Sequence, residues 1–222
     1  MRFKIITFLY IIVGLIHLFT AYYPGEFPQV ALYSKAALMP ILFFSCFALK
    51  NKNVRAVGIP LIIALFFSWI GDIILTYEDF FLYGLGAFFL AHVAYIISFV
   101  KSNFKNHEKP IAPIFMYAFV FSGALMFLYL KPNLEEMIFP VMAYVAIIIG
   151  MNIAALNRYN KVNARSFWLI MIGAILFLIS DSIIAINKFD HTINHARVYI
   201  MITYLIAQYL IVQGTLKRIE EV

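Results

Sequence analysis

Two carboxyl groups stand where hydrocarbon is expected. Asp72 and Asp181 each lie in an apolar stretch long enough to cross a bilayer, and an ionisable side chain in that position is a functional candidate by default. Their surroundings recur: Ser68-Trp69-Ile70-Gly71-Asp72-Ile73-Ile74-Leu75 and Leu178-Ile179-Ser180-Asp181-Ser182-Ile183-Ile184-Ala185 both set a small residue before the acid and an isoleucine pair shortly after it. Two neighbouring carboxyls in a low dielectric divide their labour, one keeping its proton and the other ionised. Such a pair can donate a proton, take one from water or face a developing cation. The structural alternative is a carboxylate paired with Lys35, or an acid hydrogen-bonded to a neighbouring helix carbonyl, fastening a bundle. Each charge alone costs about 2.5 to 3.5 kcal/mol on insertion scales, so two acids in similar motifs at similar depth favour a shared cavity.

Other polar residues in apolar surroundings could serve the same site. Lys35 either snorkels to the headgroups or grips a lipid phosphate or an Asp. His92, in Leu90-Ala91-His92-Val93-Ala94-Tyr95, is a hydrogen-bonded core residue or a site member. Gln208, in Tyr204-Leu205-Ile206-Ala207-Gln208, and Asn187, beside Lys188, face the same choice, interhelical hydrogen bonding being the ordinary use of such groups. His17, His191 and His195 lack companion ligands at metal spacing, so no metal is assigned. The single cysteine, Cys46, excludes an intramolecular disulfide and a thiolate cluster. There is no glycine-rich phosphate loop, Ser-His-Asp order or zinc helix motif.

The elements that must hold these residues are transmembrane helices. Of 222 residues, 64% are hydrophobic and 13% charged, and the mean hydropathy is +0.90; a soluble domain carries roughly 25% charged residues. Windows of roughly 20 apolar residues, the length that bridges about 30 Å of hydrocarbon, fall at 4–22, 30–49, 56–77, 82–101, 111–130, 136–156, 166–187 and 197–216. The Met1-Arg2-Phe3-Lys4 opening resembles a signal peptide, but no small-x-small cleavage site follows before Pro24, so the first window is read as a retained span. Connections are short and carry breakers at Pro24 and Pro28, Asn51 to Asn53, Glu78-Asp79, Lys109-Pro110, Lys131-Pro132-Asn133 and Asn157 to Asn163.

The net charge of +6 would suggest nucleic acid in a soluble protein, but here it sorts by membrane side. Arg2, Lys4, Lys50, Lys52, Arg55, Lys101, Lys105, Lys109, Arg158, Lys161, Arg165, Lys217 and Arg218 fall on one face, and only Lys35, Lys131, Lys188 and Arg197 on the other. The positive-inside rule then makes both termini cytoplasmic. Tyr22, Tyr23, Tyr77, Phe80, Phe81, Tyr83 and Tyr129 form an aromatic belt at the outer ends. Asp72 is expected about five residues, and Asp181 about six, from the outer ends of spans 3 and 7, both within roughly 10 Å of the interface. The acids are 109 positions apart, and the same offset carries Tyr95 onto Tyr204. Within one transmembrane domain, 1–222, this raises a parallel four-plus-four repeat with halves 1–108 and 109–222.

The expected fold is therefore all-α, a polytopic membrane bundle of about eight helices. At these residues the chain resembles the lysoplasmalogenase family, the YhhN-type membrane proteins. The resemblance is carried by Ser34-Lys35 with Met39-Pro40, Gly71-Asp72 with Leu75, His92 with Tyr95, and Asn157-Arg158-Tyr159; then by Gly173-Ala174-Ile175-Leu176-Phe177 running into Ser180-Asp181-Ser182, by Asn187-Lys188-Phe189, and by Tyr204 with Ala207-Gln208. Ala36 departs from the proline the family commonly places after the lysine. The resemblance implies hydrolysis of the vinyl ether bond of a lysoplasmalogen to a fatty aldehyde and a glycerophospho-headgroup. It implies Asp72 and Asp181 as catalytic residues, with Lys35, His92, Tyr204, Gln208 and Asn187 binding substrate. No cofactor and no nucleic acid are expected, only a lysophospholipid and the surrounding membrane lipid, in a bacterial inner membrane.

Two other classes compete. A proton-coupled small-solute transporter also uses paired intramembrane acids at a repeat interface, though the acids here lie off the midplane. An intramembrane aspartyl protease would need Gly and Tyr where this chain has Trp69 and Ser180.

Overall fold

The computed structural model describes residues 2–46, 54–102 and 113–220. Lys50, Lys52, Lys105, Lys109 and the expected breakers Asn51 to Asn53 and Lys109-Pro110 lie outside the described residues, as does the boundary of the suggested halves. In chain order the elements are α1 (Arg2–Tyr22), α2 (Pro28–Cys46), α3 (Val54–Ile74), α4 (Phe81–Lys101), α5 (Pro113–Leu130), α6 (Ile138–Leu156), α7 (Ala164–Phe189) and α8 (Ala196–Glu220), with short 3-10 turns at Glu78–Phe80, Lys131–Asn133 and Glu135–Met137. No strand occurs among the described residues. A helix satisfies its backbone groups internally, which is why hydrocarbon admits this element.

Among the described residues, seven helices are long and apolar enough to cross a membrane, and the apolar part of the remaining one, Gly58–Ile74 of α3, is shorter. The protein is a multi-pass membrane helical bundle. Local sequence explains the helix limits. Pro28 and Pro113 stand first in α2 and α5, where a missing N–H costs nothing. Asn163 caps α7 by accepting from the Ser166 N–H at 2.7 Å. Gly25, at φ 90°, turns the chain between α1 and α2. Pro40 and Pro60 lie inside α2 and α3.

Packing runs mainly between chain neighbours, with α3 on α4 and α7 on α8 the most extensive pairs, α4 also on α6, and α8 reaching α1, α2 and α3. A Cβ added at Gly173 would fall 3.0 Å from the Ala207 carbonyl oxygen, and one at Gly214 3.0 Å from that of Ser166. The two glycines let α7 and α8 approach closely, as small residues do between membrane helices. Leu38, Leu42, Leu61, Leu65, Tyr95, Phe99, Phe177 and Ile211 fill the centre. The periphery is apolar and exposed, as in Phe8, Tyr33, Phe121 and Phe139, which suits a lipid solvent. α5 stands apart, touching α6 and, more lightly, α7.

Tyr22 stacks on His195 with centroids 4.9 Å apart, and Phe81 meets Phe189 at 5.7 Å. The α1–α2, α3–α4 and α7–α8 connections therefore share one end, the one whose basic residues are few. At the opposite end Arg158, expected as a loop charge, is instead fully buried. Its Nε donates to Ser102 Oγ at 2.9 Å, and Nη1 and Nη2 donate to the Ser166 carbonyl at 3.2 Å and hydroxyl at 2.8 Å. The Ser166 hydroxyl donates onward to the Gly214 carbonyl at 2.6 Å. One guanidinium thus joins α4, α7 and α8 where they end.

Candidate active site

The two acids occupy different depths in their helices. Asp72 is in the last turn of α3, which stops at Ile74, whereas α7 continues to Phe189, eight residues beyond Asp181. α3 ends earlier than the apolar pattern suggests because Thr76 and Tyr77 already bond to Ile73 and Ile74, a tighter turn. The Thr76 hydroxyl also donates to the Asp72 carbonyl at 3.1 Å. α7 runs longer because Phe189 is packed against Phe81.

Asp72 is 4% exposed. Its Oδ2 accepts from the Tyr204 hydroxyl of α8 at 2.7 Å, and Tyr204 in turn accepts from Gln208 Nε2 at 3.1 Å. Tyr95 of α4 donates to Gln208 Oε1. A chain of polar groups, Asp72–Tyr204–Gln208–Tyr95, thus crosses three helices with every member buried, an arrangement that rigidifies a core when fully satisfied.

Asp181 has different company. Its Oδ2 accepts from the Tyr144 hydroxyl of α6 at 2.7 Å and lies 3.7 Å from His92 Nε2 of α4. Its carboxyl forms part of the wall of a cavity of about 220 Å³ between α4, α5, α6 and α7. The cavity is otherwise apolar, lined by Leu75, Phe81, Phe88, Met126, Leu130, Ile148, Leu178 and Phe189, with Ser122, Tyr144 and Ser182 adding polar atoms. An apolar pocket with a few convergent polar groups is the usual form of a small-molecule site.

Asp72 does not line this cavity. Phe88 stands between, one of the cavity's walls, with its ring 5.9 Å from that of Tyr204 and 6.2 Å from that of Phe177. Gly71 is what allows it there: a Cβ at position 71 would fall 2.6 Å from Phe88 Cδ2. The acids still lie within electrostatic reach of one another.

Lys35 is half-buried in α2, within electrostatic reach of Asp72, Arg197 and His17. Among the described residues no ion pair joins it to Asp72; the ion pairs found there are His92 with Asp181 and His191 with Asp190. Asn187 stands away from the polar chain, its Oδ1 accepting from the Ile193 N–H at 2.9 Å to brace the α7–α8 connection. The structure thus groups Asp72 with Tyr204 and Gln208, and Asp181 with His92.

Tyr144 was not among the sequence candidates, since a tyrosine in an apolar run reads as filler. One signal pointed to it: the 109-residue offset that relates Asp72 to Asp181 carries Lys35 onto Tyr144. Each acid therefore has a polar neighbour at equivalent positions, an ammonium in one case and a phenol in the other.

With this geometry in view, the comparisons with known proteins decide the family. A family model described as YhhN matches residues 30–215. The chain belongs to the YhhN family. It is similar to lysoplasmalogenase TMEM86B of Mus musculus, 31% identical over 156 residues, which covers 70% of this chain and 62% of the relative. It is also similar to lysoplasmalogenase TMEM86A of Bos taurus, 32% identical over 166 residues with 72% and 66% covered, and to lysoplasmalogenase TMEM86B of Homo sapiens, 32% identical over 155 residues with 69% and 62% covered. The matches thus span somewhat under two thirds of these relatives' length. No solved structure matches the chain.

Proposed function

We propose that this YhhN-family chain is a membrane hydrolase that cleaves the vinyl ether bond of a 1-alkenyl lysophospholipid, with Asp181 as the proton donor. The observation that carries the reading is one carboxyl in the wall of an otherwise apolar cavity inside a membrane bundle. Similarity to relatives named lysoplasmalogenase supports the choice of bond.

A vinyl ether is inert to base and needs acid at carbon. The enol ether oxygen pushes electron density onto its β-carbon, which takes the proton and leaves an oxocarbenium ion; water adds, and the hemiacetal collapses to aldehyde and alcohol. A proton donor inside an apolar pocket meets the first need, because the reacting carbon belongs to the lipid chain and travels with it. Within the Asp181 carboxyl, Oδ2 takes the Tyr144 hydrogen bond and faces His92. That leaves Oδ1 for the substrate. Asp72, fixed by Tyr204, contributes the negative neighbour that favours a cation nearby, at the longer range of an electrostatic effect.

The lipid would lie with its alkenyl chain in the cavity and its phosphate towards Lys35 and Arg197. Lys35, within electrostatic reach of both Arg197 and Asp72, suits a group carrying one negative charge. Such a lipid keeps its headgroup wet and its vinyl ether just below the interface, on the outer side if both termini are cytoplasmic.

The test uses purified protein in detergent, presented with alkenyl and alkyl lysolipids of equal chain length and headgroup, with aldehyde as the readout. The alkenyl compound is expected to yield aldehyde and the saturated ether none. Solute counterflow in proteoliposomes without aldehyde release would replace this reading by the carrier alternative.

A further inference from the structure

His92 is fully buried, yet half of its hydrogen-bonding capacity is unused. Its Nδ1 lies 2.6 Å from the Phe88 carbonyl oxygen, one turn back in α4. A carbonyl can only accept, so Nδ1 carries the hydrogen. In the neutral ring the basic nitrogen is then Nε2, which is buried without a hydrogen-bond partner and lies 3.7 Å from Asp181 Oδ2, within ion-pair distance. Phe177, at 4.8 Å between ring centroids, and Tyr144, at 5.4 Å, meet the imidazole at steep angles and hold its plane. His92 does not itself line the cavity. A buried basic nitrogen beside a carboxyl, with its tautomer set by the backbone, can receive a proton from that carboxyl and return it once substrate binding closes the pair to hydrogen-bond distance.

We propose that His92 and Asp181 form a proton-sharing couple in which His92 is a positioning residue and second proton store behind the acid that faces the cavity. This rests on the vinyl ether reading above and gives the couple a definite task. Hydrolysis removes both hydrogens from one water; one replaces the proton given to carbon, and the other ends on the departing oxygen. A lone carboxyl holds one proton at a time.

The balance runs through the couple in four moves. Asp181 gives its proton to the β-carbon; the C–H bond forms from the double-bond pair and leaves an oxocarbenium ion and a carboxylate. Water adds to the cation through oxygen, and its first proton passes to the carboxylate and on to His92 Nε2. The freed carboxylate then takes the hemiacetal hydroxyl proton and hands it to the leaving oxygen, as that C–O bond breaks with its electron pair and the aldehyde carbonyl forms. Finally His92 returns its proton to Asp181. The titratable groups facing the couple are Tyr144 from α6 and, through Asp181, Asp72 from α3; Lys35 of α2 and Tyr204 of α8 bear on Asp72.

Two measurements on the full-length protein test this. In nitrogen-15 NMR of histidine-labelled protein in detergent, the His92 signals, assigned by their loss in His92→Gln, should report a ring protonated at Nδ1 whose Nε2 resonance moves in Asp181→Asn. In kinetics, His92→Gln should lower kcat by roughly 10²-fold, the lower end of what a positioned acid–base group contributes. KM should stay within about twofold, because no substrate contact is lost, and one limb of the kcat–pH profile should disappear. An Nε2 resonance indifferent to Asp181→Asn, or a His92→Gln enzyme with wild-type kcat and pH profile, overturns the couple. If wild-type protein releases no aldehyde, the vinyl ether reading fails instead, and the NMR arm still decides whether the two groups share a proton.

Discussion

The two acids, alike in sequence motif, are unlike in surroundings, and their roles should separate. Asp181 reaches the cavity and accepts one phenol hydrogen bond; Asp72 is enclosed and tied into a chain of tyrosines and a glutamine. Asp72→Asn keeps the size of the side chain and its ability to accept from Tyr204, so the loss should fall mainly on the rate of aldehyde release. Tyr144→Phe removes the hydrogen bond to Asp181 Oδ2 without opening space; a hydrogen bond to a charged group is worth about 1.5 to 3 kcal/mol, which predicts a fall in kcat of roughly 10- to 100-fold. Both variants should be compared at equal amounts of folded protein. A Tyr144→Phe enzyme with unchanged kcat would remove the phenol from the account.

At this scale the sequence was informative about identity and poor about company. Asp72, Asp181 and His92 were visible because a polar group inside an apolar run is conspicuous. Tyr144 was not, because its ring is apolar enough to pass as lipid-facing. Which side of each helix turns inward is a rotation about its axis, and so the separation of Asp72 from the cavity by Phe88 was not legible from spacing. Asn187, a site candidate by sequence, has its Oδ1 turned to the Ile193 N–H where the chain turns back after α7, a contact that the spacing does not show.

Among the elements, α5 is a lightly packed wall of the cavity. Beyond the spans its end is held by Asp190, which follows α7. The Asp190 carboxylate accepts from the Tyr129 hydroxyl of α5, from His191 Nδ1 at 2.7 Å and from Asn133 Nδ2 at 3.4 Å. These hydrogen bonds, that of Tyr129 foremost, hold the Asp190 carboxyl below the usual carboxylate range. The folded-state value is depressed, so the latch is fully formed above the ordinary aspartate pKa of about 3.9 and is lost only as pH falls through the lower folded value. Asp190→Asn should raise hydrogen exchange across 126–134 at neutral pH, as the α5 end loosens. Exchange there equal to wild type would show that α5 is held by its apolar contacts alone.

Element boundaries followed the apolar windows closely, because hydrocarbon thickness dictates helix length. The departures have local causes: the tight turn after Ile74 shortens α3, and packing of Phe189 on Phe81 extends α7. Arg158 lies at the expected end but is buried, for a plainer reason. It sits among loop formers, Asn157 to Asn163, yet its guanidinium turns inward to the ends of α4, α7 and α8.

For the whole molecule, the closest pairs, α3 with α4 and α7 with α8, are those that carry the acids and the tyrosines related by the 109-residue offset. We propose that the halves are diverged copies in which one acid kept the cavity and the other became its electrostatic support. Equal motifs then end in unequal surroundings: Lys35 lies within electrostatic reach of Asp72, and Tyr144 lines the cavity beside Asp181. On the proposed reading, the bundle as a whole would present a lipid chain to a carboxyl away from bulk water, where carbon protonation competes well against loss of the proton to solvent.

The most direct measurement follows the hydrogen that Asp181 is held to deliver. Wild-type protein and Asp181→Asn are given an alkenyl lysolipid in D2O, and the aldehyde is reduced in place before its α-hydrogens exchange. The wild-type product should carry one deuterium on the carbon next to the former carbonyl, and Asp181→Asn should release product at least about 10²-fold more slowly. Product without deuterium at that carbon, or an Asp181→Asn enzyme as fast as wild type, would contradict proton transfer from this carboxyl.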